Sequence, residues 1–235
     1  MEIVTTADGW AFLLRWLHFL AGITWIGVLY YFNFVQTPFF ATDLGGQARS
    51  AVVRGLVPNA LWWFRWGAMF TFLSGLAILM IRLHQGIGLG QPYMTAILTG
   101  ALLGTLMWAN VWFVIWPAQQ VVIRSAEQVA GGGQAIPEAA ARGARAGLVS
   151  RTNVLFSIPM LFFMGAASHL QYAFLGEGDA LYWIGVLALA ALVELNGVRL
   201  GPGAVTQKPL ATVSGTVHAG LGLALVFYVW SQLVL

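Results

Sequence analysis

Four histidines and seven methionines carry all the soft-metal chemistry open to this chain, because it has no cysteine. The absence of thiols excludes disulfides, iron–sulfur clusters, thiolate zinc sites, a cysteine nucleophile and covalent c-type haem attachment. His18, His169 and His218 stand inside long apolar runs, and His84 closes another. Small residues flank three of them at helical spacing: Ala21 and Gly22 beside His18, Gly165 and Ala166 beside His169, and Ser214, Gly215 and Gly222 around His218. A small neighbour lets a flat macrocycle approach the backbone. Two histidines on facing helices need that approach if they are to hold haem b through both axial positions. Counted at about 1.5 Å per residue from the ends of their runs, His18 and His169 reach nearly the same height. They are the expected ligands of a haem iron. His84 lies nearer the surface, either as a third cofactor candidate or as an interfacial histidine. His218 lies roughly two turns deeper and replaces either ligand if a helix is tilted or broken. The plainer alternative is that the small residues serve helix packing, as in Gly100-x-x-x-Gly104.

A second layer of chemistry lies toward the opposite ends of the same runs. It contains Asn33, Arg65, Asn110, Arg151, Asn153, Glu194 and Asn196, with His218 close by. Glu194 follows the apolar run Leu187–Val193, where a carboxylate needs a partner: Arg65, Arg151 or His218, or else a proton of its own. Convergent amides, an arginine and a carboxylate suit a flat, polar, hydrogen-bonding ligand. Arg65 with Asn33, Asn110, Arg151 and Asn153 would hold an anionic heterocycle, and Glu194 or His218 would accept its proton. The alternative is a structural network of caps, with arginines snorkelling to phosphates.

The elements that must position these groups follow from composition. Hydrophobic residues make up 59% of the 235, and only 8% are charged, about a third of the share in a soluble domain. That excludes a soluble enzyme, a disordered chain and a nucleic-acid binder, and leaves a protein dissolved in a bilayer. Runs at 10–34, 60–82, 93–116, 152–174, 180–198 and 210–234 are each long enough to span. They are continuous rather than alternating, which excludes a transmembrane barrel. The fold class is all-α integral membrane, a single bundle of about six transmembrane helices. Residues 35–59 form a loop with a short helical stretch, and 117–150 a cytoplasmic helical hairpin. In that hairpin Pro117 ends the span, Gly131–Gly133 breaks the arms, and Pro137 with Glu138 opens the second. Gly86-x-Gly88-x-Gly90 has no preceding strand and is a loop, not a dinucleotide fingerprint.

Charge sets the orientation. Arg49, Arg54, Arg124, Arg142, Arg145, Arg151, Arg199 and Lys208 fall on one side. Arg15, Arg82, Glu2, Asp8, Glu177 and Asp179 fall on the side of the N-terminus. The positive-inside rule puts the first group in the cytoplasm and both termini outside it. Residues 1–8 lack a basic n-region, so the first run is read as a permanent span rather than a signal peptide. Trp62, Trp63, Trp66, Trp112 and Trp116 fall near the cytoplasmic interface, where aromatic belts form.

Several strings are distinctive: Trp16-Leu17-His18-Phe19-Leu20-Ala21-Gly22-Ile23-Thr24-Trp25-Ile26-Gly27, Tyr30–Gln36, Leu61-Trp62-Trp63-Phe64-Arg65-Trp66-Gly67, Asn110–Pro117, Arg151-Thr152-Asn153 and Met164–His169. Together they resemble the urate oxidase N-terminal family, a membrane domain that includes the membrane urate hydroxylase of bacterial purine breakdown. The resemblance covers about residues 10–170 well and the last two spans loosely. It implies an inner-membrane oxidoreductase linked to urate oxidation. Full-length urate hydroxylases of this kind carry a C-terminal cytochrome c domain outside the cytoplasm. Here the sequence stops at Leu235 without a cysteine, so the expected electron acceptor is a separate cytochrome c or a quinone.

The leading expectation is a bacterial inner-membrane redox protein that oxidises a urate-like substrate at the cytoplasmic layer and passes electrons outward through haem b. A second reading is a haem-b anchor and relay for a soluble dehydrogenase docked on the hairpin. A third is a proton-coupled transporter using Glu194 and His218, although the chain has no matching pair of Gly/Pro-broken helices.

Overall fold

The computed structural model describes residues 2–174 and 180–235. Glu177 and Asp179, counted above on the outer side, lie outside the described residues. Among the described residues every regular element is helical. Six helices are long and apolar enough to cross a membrane: α1 (Ala7–Phe40), α3 (Val57–His84), α4 (Pro92–Ala130), α5 (Ala139–His169), α6 (Ala180–Val198) and α7 (Val213–Val234). This fits a multi-pass membrane protein. A shorter helix, α2 (Asp43–Gly55), joins α1 to α3.

Local sequence explains the ends. Thr6, Thr42 and Thr212 cap α1, α2 and α7, each hydroxyl accepting from the amide three residues on, at Gly9, Gly45 and Gly215. Pro58 and Pro92 stand in the first turns of α3 and α4, where a missing N–H costs nothing. Gly132 takes φ +86° in the turn between α4 and α5, a conformation only glycine adopts freely.

Two expectations about proline are corrected. Pro117 does not end its span, and residues 35–40 do not leave the first helix. The helix continues through both prolines because each follows a π-helical turn, Tyr31–Gln36 before Pro38 and Val111–Ile115 before Pro117. Proline has no amide hydrogen, and its ring crowds the carbonyl four residues back. The wider turn relieves both problems. Thr37 N–H reaches back five residues to Phe32 O, and Trp116 N–H reaches Val111 O. The fourth span also differs. It begins at Ala139, so the arm after the glycine turn and the span are one helix, and it ends at His169 rather than 174.

α5 is the central helix. Its most apolar window is 56% buried inside the chain, against 17–33% for the other five. α4 and α7 pack on it, while α1 packs chiefly on α3. Small residues set the crossings. A Cβ on Gly67 of α3 would meet Trp25 N of α1 at 3.1 Å, and one on Gly100 of α4 would meet Met160 O at 3.2 Å. Helices in lipid approach closely where such residues let backbones touch. Arg49 of α2 and Lys208 of the loop after α6 both lie beside the start of α5, which carries Arg142 and Arg145, and this end of the bundle is called here the basic end.

Candidate functional site

The two π turns deliver amides to the same level of the bundle. Asn33 lies within the first and is buried. Its Nδ2 donates to Leu29 O at 2.9 Å and to Ser150 Oγ of α5 at 2.8 Å, leaving Oδ1 unengaged. One turn earlier, the Tyr30 hydroxyl meets Ser157 Oγ at 2.8 Å. Asn110 immediately precedes the second π turn. Its Nδ2 donates to Asn153 Oδ1 at 2.9 Å and to Glu194 Oε2 at 3.1 Å. Asn153 in turn donates to Met107 O at 3.0 Å. Glu194 thus finds an amide rather than the arginine or histidine partner expected of it. Arg151 Nη1 donates to Leu210 O at 2.8 Å and Ala211 O at 3.2 Å, closing the start of α7. Asn196 binds the loop after α6 through Thr206.

A cavity of about 440 Å³ opens among α1, α2, α3, α4 and α5 at the basic end, within the usual range for a ligand site. Phe32, Phe40, Leu61, Phe64 and Ile115 give it apolar walls. Asn33, Gln36, Arg49, Gln119, Ser150 and Arg151 give it polar groups. Gln36 Oε1 is buried and has no hydrogen-bond partner. An unpaired buried carbonyl is costly, and a turn of the Gln36 side chain would present it to an N–H donor in the cavity. Asn33 and Arg151, both expected to bind substrate, line this cavity. Asn110 and Asn153 do not line it and belong to the Glu194 cluster. The roles of Gln36, Arg49, Gln119 and Ser150 escaped the sequence reading. The signal for two of them was present, since Gln36 and Gln119 each lie two residues from a proline, Pro38 and Pro117.

Arg65 does not line the cavity. Its guanidinium lies over the rings of Trp116, Trp112 and Trp66, at 4.0, 5.0 and 5.6 Å from their centroids.

The histidines have unequal surroundings. His18 Nδ1 lies 3.1 Å from Ser74 Oγ on α3. Ser74 Oγ donates to Phe70 O at 2.6 Å, so its proton is spent and it accepts from His18. The Nδ1–H tautomer leaves Nε2 with a free lone pair, the arrangement of a metal-ready imidazole. Gly75 makes room for the ring, since a Cβ there would stand 3.1 Å from His18 Cε1. His169, the last residue of α5, is exposed, as is His84 at the end of α3. His218 is also exposed and turns back on its own helix, with Nδ1 2.7 Å from Ser214 O. Among the described residues no group of three or more His, Cys, Asp or Glu is placed to hold a metal ion.

A family model described as urate oxidase N-terminal matches residues 92–214, just over half of the chain. The matched segment runs from the start of α4 to the start of α7. It contains Asn110, Gln119, Ser150, Arg151, Asn153 and Glu194. The strings around His18, Asn33 and Arg65 lie outside it. No curated protein and no solved structure matches the chain.

Proposed function

The chain belongs to the urate oxidase N-terminal family, and from that membership we propose that it is a bacterial inner-membrane oxidoreductase taking a urate-like substrate into the cavity at the basic end. The observation that carries the reading is the mixed cavity itself, walled by Phe32, Phe40 and Phe64 and lined by Asn33, Gln36, Arg49 and Arg151. Urate is flat, anionic near neutral pH, and edged with both N–H donors and carbonyl acceptors. Gln36 Oε1 and Asn33 Oδ1 would accept from its N–H groups. Arg49 and Arg151 would meet its charge, a role that passes to them from Arg65. Phe32, Phe40 and Phe64 would exclude water and stack beside the ring. Glu194 does not line the cavity; paired with Asn110 beyond it, it would take a proton released on oxidation by way of intervening water.

Haem b, when bound, supplies a one-electron carrier toward an external cytochrome or quinone. His18 would hold the haem iron through Nε2, with Ser74 fixing the tautomer and Gly75 giving the imidazole ring space. His169 is the second candidate ligand, and its exposed ring has no hydrogen bond to hold it elsewhere among the described residues.

Two measurements test the proposal. Gln36→Leu removes an oxygen that makes no bond in the structure, so thermal stability should hold while KM for urate rises about tenfold or more. An unchanged KM would reject the cavity. Oxidised and reduced optical spectra of the purified, haem-supplied protein should show b-type bands that His18→Ala abolishes. Absence of haem from a folded sample would reject the electron path.

A further inference from the structure

Between α3 and α4, at the basic end, two donors lack an acceptor. Arg65 Nε and Trp112 Nε1 are both buried without a hydrogen-bond partner. They belong to one cage, with the guanidinium 5.0 Å from the Trp112 ring and 4.0 Å from that of Trp116. Ring faces stabilise the cation's flat side, but they do not satisfy the N–H groups at its edge. Guanidinium has five such donors and no acceptor. Among the described residues no carboxylate or carbonyl meets it. Arg82, near the other end of the same helix, has an unpaired buried Nε as well, but differs at the head of its guanidinium. Its Nη1 reaches Gln85 Oε1 at 3.1 Å.

Arg65 is only partly buried and its Nη groups are not among the enclosed atoms, so an acceptor from outside the chain can reach them, and the surroundings indicate its source. Trp62, Trp63, Phe70 and Phe113 are all exposed around the cage, an aromatic collar of the kind found at membrane interfaces. Arg65 lies eight residues into α3, about 12 Å along the axis from Val57. From that depth a long side chain snorkels toward the phosphate layer. A free anion would have to enter through that apolar collar, whereas a phospholipid arrives with its chains already alongside it.

We propose that the Arg65 guanidinium, held against the Trp112 and Trp116 rings, forms a headgroup site for the phosphate of an anionic phospholipid, whose acyl chains lie along Trp62, Phe70 and Phe113. The site rests on the bilayer reading and is independent of the redox one. Its role is to fix α3 against α4, which otherwise touch sparingly.

The test is retention of defined lipids on the detergent-purified chain, followed by native mass spectrometry. The wild type should keep one dioleoyl phosphatidylglycerol that R65Q binds at least tenfold more weakly. R65K should fall between, since it keeps the charge but loses the planar fork. R199Q, at an exposed arginine of the same end, should retain as the wild type does. Dioleoylglycerol, which has the chains and no phosphate, should not be retained. Equal retention by R65Q, or of dioleoylglycerol, would overturn the site. Displacement of phosphatidylglycerol by millimolar inorganic phosphate would also overturn it, in favour of a free-anion site. If R65Q does not fold, R65K and the comparison between the two lipids on the wild type decide.

Discussion

At the scale of single residues, Glu194 and Asn110 separate stability from chemistry. Asn110 donates to both Glu194 and Asn153, so Asn110→Leu strips two acceptors of their donor at once. A buried acceptor left unpaired costs about 1–3 kcal/mol, and a thermal-shift loss of that order in detergent is expected. Glu194→Gln behaves differently. Its amide oxygen still accepts from Asn110, so the melting temperature should stay close to the wild type. As a proton acceptor, however, the amide fails, and general-base contributions run to about 10²–10⁴-fold. Urate turnover should therefore fall by at least a hundredfold in a folded protein. Wild-type turnover would remove Glu194 from the reaction. The presence of these groups was readable from sequence, because charges and amides in apolar runs are conspicuous. Their pairing was not. Arg65, Arg151 and Glu194 looked like mutual partners because spacing gives height along a helix and not azimuth around the bundle. The structure turns Arg65 toward tryptophans, Arg151 toward the carbonyls of Leu210 and Ala211, and Glu194 toward Asn110.

At the scale of elements, the six long helices were legible from apolar run length and the break at 131–133 from its glycines, and the end of α6 at Val198 agreed with the expected one. The two π turns were not legible. Proline was read by its usual effect of ending a helix, but a π turn in front of it lets the helix continue. Pro117→Ala tests this account. It restores an N–H that can bond Phe113 O, which removes the reason for the wide turn. Hydrogen exchange should show a newly protected amide at 117, with stability held or raised. Gln119 and Val122 would shift around the axis, and substrate affinity should fall about tenfold. An unprotected amide at 117 would reject the account. The crossing of α5 and α7 gives a paired prediction. A Cβ on Gly220 would meet Leu155 O at 2.8 Å and Ile158 Cδ1 closer still, so Gly220→Ala should destabilise by about 1–3 kcal/mol. Gly222, two residues on, has nothing within 4 Å of its would-be Cβ. Gly222→Ala should therefore gain up to about 1 kcal/mol of helix propensity. Equal effects at the two sites would mean that α7 crosses α5 elsewhere.

At the scale of the molecule, the bundle divides into the α1–α3 pair and the α4–α7 group built around α5. The cavity lies where these parts meet, so its shape depends on what ties them together. Two hydrogen bonds cross the join from α1 to α5: Tyr30 to Ser157 at 2.8 Å and Asn33 to Ser150 at 2.8 Å. Both sit at the level of the cavity, and Asn33 and Ser150 line it directly. Side-chain bonds between membrane helices average about 0.6 kcal/mol and reach about 1.7. The part-buried Tyr30–Ser157 pair should fall in the upper half of that range. The measurement is a double-mutant cycle of Tyr30→Phe and Ser157→Ala, with unfolding followed in bicelles. A coupling near 1 kcal/mol is expected, and a coupling near zero would mean that apolar packing alone holds the join. The cycle also bears on function. If these bonds set the cavity's width, the single variants should weaken substrate binding by similar factors, and the double variant should add little to either. Independent, multiplicative losses would mean that Tyr30 and Ser157 act on the cavity separately rather than as one tie.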